Sequence, residues 1–272
     1  MFPTCIFCNN ESGSEEHLWA AWMHRLLKFG PIRVQEGTGP ETIDPDPEKT
    51  INTVCHTCNN TWMSQLEEKN IPSLRPMLQN QSTMIDPGRL RLLTEWGVKT
   101  AMVQDSIKPE IGNEKFYTDA ERLEMRLTRK IPERTRIWIG ALTEPHLGSF
   151  GTDMGIFGSD RKTRIGTGIA TTIIVGHFAI QVVTQRALQE FAAQTIPDIK
   201  PRAGNWDDTL IEVYPKKQKK IDWPPKTSLT NGGPQGIAYL MNRWRMGQKV
   251  EKVVPVPQSR AANNVQSARS SS

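Results

Sequence analysis

Long apolar runs, an export leader and scattered cysteines are all missing from this 272-residue sequence. No segment approaches the roughly eighteen consecutive apolar residues that a membrane helix requires. No basic segment followed by an apolar one precedes Cys5, as a secretory leader would need. The hydrophobic share of 37% and the charged share of 23% argue against a wholly disordered chain. We therefore expect a folded, soluble, cytoplasmic protein.

Cysteine is scarce, and its placement is informative. The four cysteines form two C-x2-C pairs, Cys5 with Cys8 and Cys55 with Cys58. In a reducing compartment such pairs favour metal binding over disulfides. Zinc takes four thiolates in a tetrahedron, and a two-residue gap lets both thiolates of a pair reach one ion. The pairs predict one structural Zn2+, although the 46 residues between them leave open that they are unrelated.

The first half of the chain is predicted to be mainly helical. One helix is predicted from Ser14 to Lys28, and a second begins at Asn59 or Asn60, where an amide could cap it, and is limited by Pro72. Further apolar periodicity predicts helices over 89–104 and 118–130.

β-Branched and aromatic residues dominate after Pro132, which favours antiparallel strands. The strands are predicted over 136–142, 155–158, 169–175, 178–184 and 209–214. Gly176 and His177 fit either a hairpin turn or a bulge in one longer strand. A helix is predicted from Gly232 through Trp244. The fold class is therefore α+β, with an N-terminal zinc module, a helical middle and an antiparallel β-rich C-terminal region.

Three parts are predicted along the chain. Residues 1–70 hold the cysteine pairs, and 71–256 form an α+β domain without an assigned role. Residues 257–272 have almost no large apolar side chain, which is typical of a disordered tail.

Between and beside the cysteine pairs lie residues that carry a family resemblance. Cys5-Ile6-Phe7-Cys8, then Glu16-His17, then Val54-Cys55-His56-Thr57-Cys58-Asn59 resembles the His-Asn-His (HNH) endonucleases. The closest pattern is the subgroup whose ββα-metal site is braced by a four-cysteine zinc. The resemblance covers about residues 4–66 and extends more loosely to Glu67. It implies a treble-clef, ββα-metal module that cuts DNA.

The resemblance also implies roles for individual residues. Glu16 would be a carboxylate ligand of a catalytic divalent cation, His17 the general base, and Asn59 a second ligand through its amide oxygen. Phosphodiester hydrolysis needs a base near neutral pKa and a cation at the leaving oxygen. Oxygen ligands suit Mg2+ or Mn2+ better than zinc. Read without the family, His17 could merely pack at a helix start, and Asn59 could merely cap one.

Two positions depart from the family pattern. Many members have proline where this chain has Ala20, and histidine or lysine where it has Met63. The third catalytic position is therefore unfilled, with His24 and His56 as possible substitutes. The alternative function is a non-catalytic zinc module that binds nucleic acid or protein.

The net charge of +5 and the pI near 9.0 favour a polyanionic partner without requiring one. The HNH resemblance implies that this partner is DNA. The densest basic run, from Lys216 to Lys220, could be a nucleic-acid surface or a solvated loop.

Overall fold

A computed structural model describes residues 4–17, 19–30, 32–34, 42–44, 50–107, 115–158, 160, 162–191 and 209–230. These residues combine helices with antiparallel strands, which confirms the α+β class. The α-helices are α1 (Ala21–Leu27), α2 (His56–Cys58), α3 (Ser64–Leu78), α4 (Pro87–Ser106) and α5 (Asp119–Thr128). The strands are β1 (Ser14–His17), β2 (Ile32–Val34), β3 (Thr42–Asp44), β4 (Thr50–Val54), β5 (Thr83–Ile85), β6 (Thr135–Phe157), β7 (Arg164–Ala187), β8 (Ile211–Tyr214) and β9 (Ile221–Trp223).

Strand β1 corrects the first predicted helix. The helix covers only Ala21–Leu27, while Ser14–His17 pairs antiparallel with β4. Exposure alternates along β1, so Ser14 and Glu16 face the interior and Glu15 faces solvent. The partner strand is far along the chain, and pairing with it outweighs the local helical pattern. His17, on β1, and His24, on α1, therefore do not share a helix.

The second helix begins earlier and ends later than predicted. It begins at His56, passes through a π-helical turn at Asn59–Met63, and continues as α3 to Leu78. Pro72 does not end it. A proline inside a helix removes one backbone hydrogen bond, but the buried face of α3, with Leu74, Met77 and Leu78, outweighs that loss.

Helices α4 and α5 confirm the two predictions for the middle of the chain. The Asp86 side chain caps α4 by accepting from the Arg89 N–H, and Thr118 with Glu121 forms a capping box at α5. Helix α4 is buried over most of its circumference, which suits a central position.

A long hairpin replaces the predicted short strands between 136 and 184. Strands β6 and β7 pair antiparallel over nearly their whole length, and β8 adds to β6. Strand β7 continues through Gly176, and its register against β6 shifts there, so the alternative of one longer strand with a bulge is confirmed. Gly176 has φ +58°, and a Cβ there would clash with the Leu78 carbonyl oxygen. Only glycine fits at this contact between β7 and α3.

One apolar cluster joins the cysteine-bearing segment to the sheet. It includes Phe7, Leu66, Trp96, Phe178 and Ile180. The predicted boundary at residue 70 falls inside α3, and the division into domains stays a prediction. Among the described residues, no helix is both long and apolar enough to cross a membrane. The predicted helix from Gly232 and the predicted tail lie outside the described residues.

Candidate metal centre and adjoining acid–histidine site

The two cysteine pairs meet in space. The Sγ atoms of Cys5, Cys8, Cys55 and Cys58 all lie within 4.8 Å of one another. Cys8 Sγ is 3.6 Å from Cys55 Sγ and 3.7 Å from Cys58 Sγ, and none of the four forms a disulfide. Four sulfur donors converging on one point match the ligand set of a structural zinc. The cluster could therefore hold a metal ion such as zinc.

Backbone hydrogen bonds shape each pair into a turn. The Cys8 N–H donates to the Cys5 carbonyl, and the Ile6 N–H donates to the Thr53 carbonyl, which ties this turn to β4. In the second pair, the Cys58 N–H donates to Cys55 Sγ at 3.4 Å. One cysteine pair therefore lies in a turn and the other at the start of a helix. In both, the two-residue gap lets the two thiols approach the same point, as predicted.

The thiols differ in acidity. Burial raises the pKa of Cys58 above its ordinary value. Burial also acts on Cys55, but the Cys58 N–H and the neighbouring thiols outweigh it and lower the pKa of Cys55 to about 7. A stabilised thiolate is the form that binds metal.

Asn59 lies against β1, the strand that carries Glu16 and His17. Its side-chain amide donates to Ser14 Oγ at 2.7 Å, and Ser14 lies two residues before Glu16 on the same buried face. Asn59 does not cap the N-terminus of the helix, because that role belongs to Cys55, whose sulfur accepts from the Cys58 N–H. The four-cysteine cluster and the Asn59–Ser14 hydrogen bond together hold the helix across β1.

Glu16 forms a buried ion pair that sequence reasoning missed. Its Oε1 lies 3.4 Å from Lys99 Nζ of α4, with the two side chains 9% and 4% exposed. Glu67 Oε1 of α3 lies 4.0 Å from the same ammonium. A lysine within a helix predicted to be largely buried was the sequence signal for such a pair, because a buried lysine needs a counter-charge.

These charges act on one another and on His17. Burial raises the pKa of the Glu67 carboxyl, and the negative charge of Glu16 raises it further. Lys99, the Trp96 N–H and His17 act in the opposite direction and lower it. His17 ends β1 opposite Thr50 and is half-buried. The cluster of Glu16, His17, Glu67 and Lys99 is hereafter called the acid–lysine cluster.

The remaining candidates lie elsewhere. His24 is buried, with its ring 6.3 Å from that of Trp19. His56 is exposed at the start of α2. Lys216, Lys217, Lys219 and Lys220 are exposed around the turn after β8, while Trp223 is buried in the core and is not available for base stacking.

No protein-family model, curated protein or solved structure matches the chain.

Proposed function

We propose that this protein is a zinc-braced HNH-type endonuclease that hydrolyses DNA phosphodiester bonds with Mg2+ or Mn2+. One observation carries the proposal: the four-cysteine cluster and the Asn59–Ser14 hydrogen bond hold the helix against the strand that bears Glu16 and His17. The order of cysteine turn, antiparallel pair of β1 with β4, and helix supports a treble-clef, ββα-metal arrangement. A metal held by free thiols fits the reducing cytoplasm.

The residues present fit these roles. His17 is a half-buried imidazole at a strand end, where it can take a proton from water. The carboxylate of Glu16 and the amide oxygen of Asn59 are hard donors that suit Mg2+ or Mn2+. When bound, that cation neutralises charge on the leaving oxygen.

The test is plasmid cleavage by zinc-loaded protein, with and without added Mg2+ or Mn2+. The variant His17→Ala should lose at least about 100-fold in rate because it lacks the general base. His146→Ala is the control, since His146 is a half-buried histidine on β6, outside the segment that carries the family resemblance. Single-stranded DNA and RNA are parallel substrates. If no nucleic acid is cut, or if His17→Ala cuts as fast as His146→Ala, the proposal fails.

A second function is favoured by two features of the same site. Met63, at the position of the third family residue, is 1% exposed and apolar, and Glu16 is neutralised by Lys99 as in a structural ion pair. Both fit a non-catalytic zinc module that binds nucleic acid or protein. Glu16→Gln separates the two functions: an enzyme loses most of its rate, whereas a binding module keeps its affinity for nucleic acid.

A further inference from the structure

Lys99 lies between two acids that come from different elements. Glu16 is on β1 and Glu67 on α3, and their Oε1 atoms lie 3.4 Å and 4.0 Å from Lys99 Nζ. When both carboxyl groups are ionised, these three side chains carry one more negative charge than positive charge. Lys99 is 4% exposed, whereas Glu67 is 24% exposed and forms the open side of the group.

Glu67 lies on the helix that carries Asn59. The π-helical turn at Asn59–Met63 and the first turns of α3 lead from one residue to the other. At one end Asn59 contacts Ser14, and at the other Glu67 approaches the ammonium that Glu16 binds. The helix thus follows β1: its Asn59 amide nitrogen donates to Ser14, and its Glu67 carboxyl lies against the ammonium that pairs with Glu16. Met63 lies between Asn59 and Glu67 along the helix; it is buried and has no oxygen atom in its side chain.

A buried donor also faces Glu67. The Trp96 indole is 2% exposed, and its N–H lowers the pKa of the Glu67 carboxyl. Among the described residues, this N–H has no full hydrogen bond. An unsatisfied buried donor costs free energy, and the Glu67 carboxyl is the acid on which this N–H acts.

We propose that Glu67 is a second carboxylate ligand for the divalent cation, and that Lys99 is the resident counter-ion which this cation displaces. The inference rests on the proposed function, because it concerns the same cation. Two carboxylates and the Asn59 amide supply hard oxygen donors from β1 and from the helix. An ammonium held between two carboxylates occupies the place where a dication would gain most from them.

The test measures the affinity of the zinc-loaded full chain for Mn2+. Titration calorimetry measures binding directly, and the electron paramagnetic resonance signal of free Mn2+ reports how much stays unbound. Glu67→Gln should weaken Mn2+ binding about tenfold or more, because it removes a charged ligand. Glu68→Gln is the matched control: it makes the same charge change at the next position, which is exposed. Its affinity should stay within about twofold of wild type.

Displacement of Lys99 gives a separate readout. Lys99→Met removes the competing cation, so Mn2+ should raise its melting temperature more than it raises that of the wild type. An equal or smaller shift would overturn the counter-ion role. If Lys99→Met does not fold, the comparison of Glu67→Gln with Glu68→Gln decides the proposal.

The outcomes separate this inference from the proposed function. Mn2+ binding that depends on Glu67, in a protein that cuts no nucleic acid, supports the inference and refutes the nuclease. Cleavage by the wild type, with Glu67→Gln equal to Glu68→Gln in Mn2+ affinity and rate, refutes the inference alone. A wild type that binds no Mn2+ refutes the inference as well.

Discussion

Replacing Lys99 with methionine tests how the acid–lysine cluster is held. The substitution keeps a long unbranched side chain, which ends where the ammonium begins, and removes the charge, leaving Glu16 and Glu67 without the ammonium that both approach. Glu16 is 9% exposed, so water cannot replace the lost partner. Breaking a buried ion pair from one side costs about 3–5 kcal/mol. We expect the free energy of unfolding of zinc-loaded Lys99→Met to fall by about that amount.

The assay is urea unfolding followed by circular dichroism, in buffer without other divalent cations. Adding Glu16→Gln to Lys99→Met should restore about 1–3 kcal/mol of the free energy of unfolding. The second substitution removes the buried Glu16 charge that the first one left without a partner. Lys69→Met is the control, an exposed lysine on α3 whose loss should change stability by less than about 0.5 kcal/mol. If Lys99→Met is no less stable than Lys69→Met, Lys99 does not hold the cluster together.

Three further predictions concern the scaffold. Asp105→Asn should destabilise the fold by about 3–5 kcal/mol in urea unfolding, because it breaks the fully buried pair with Arg122 at 3.0 Å; a loss under about 1 kcal/mol would contradict this. Burial raises the pKa of Glu95, so its charge costs stability only once pH exceeds its ordinary value near 4.5. The melting temperature of Glu95→Gln should therefore equal that of the wild type at lower pH and exceed it increasingly as pH rises from the ordinary pKa to the raised one. A difference in melting temperature that does not change with pH would refute burial of the charge as its cause. Gly176→Ala should cost about 2–3 kcal/mol in the same urea assay, because φ is +58° and the new Cβ would meet the Leu78 carbonyl; a stability equal to wild type would show that the strand shifts freely.

The four-cysteine cluster could be predicted because its signal is local. A two-residue gap brings both thiols of a pair to one side of a turn, whatever the rest of the chain does. The capped helices α4 and α5 were also predictable, because their apolar pattern and caps lie within each segment.

Features set by distant partners could not be predicted in the same way. Ser14–His17 has a helical pattern locally but pairs with β4, some 36 residues later, and no feature of the segment itself encodes that partner. The pair of Glu16 with Lys99 joins residues 83 positions apart. The charge of Lys99 within a buried helix signals that a partner exists, but which acid it meets depends on how α4 packs against β1 and α3. For Gly176, the close approach of α3 decides between turn and continuous strand.

The central claim is that one tetrathiolate metal joins the turn at Cys5 to the helix at Cys55 and so holds Glu16, His17 and Asn59 together. X-ray absorption at the zinc edge, with elemental analysis of the purified full chain, tests it most directly. The account predicts one zinc per chain with four sulfur ligands. Less than one zinc per folded chain, or a ligand shell with nitrogen or oxygen in place of sulfur, would contradict it.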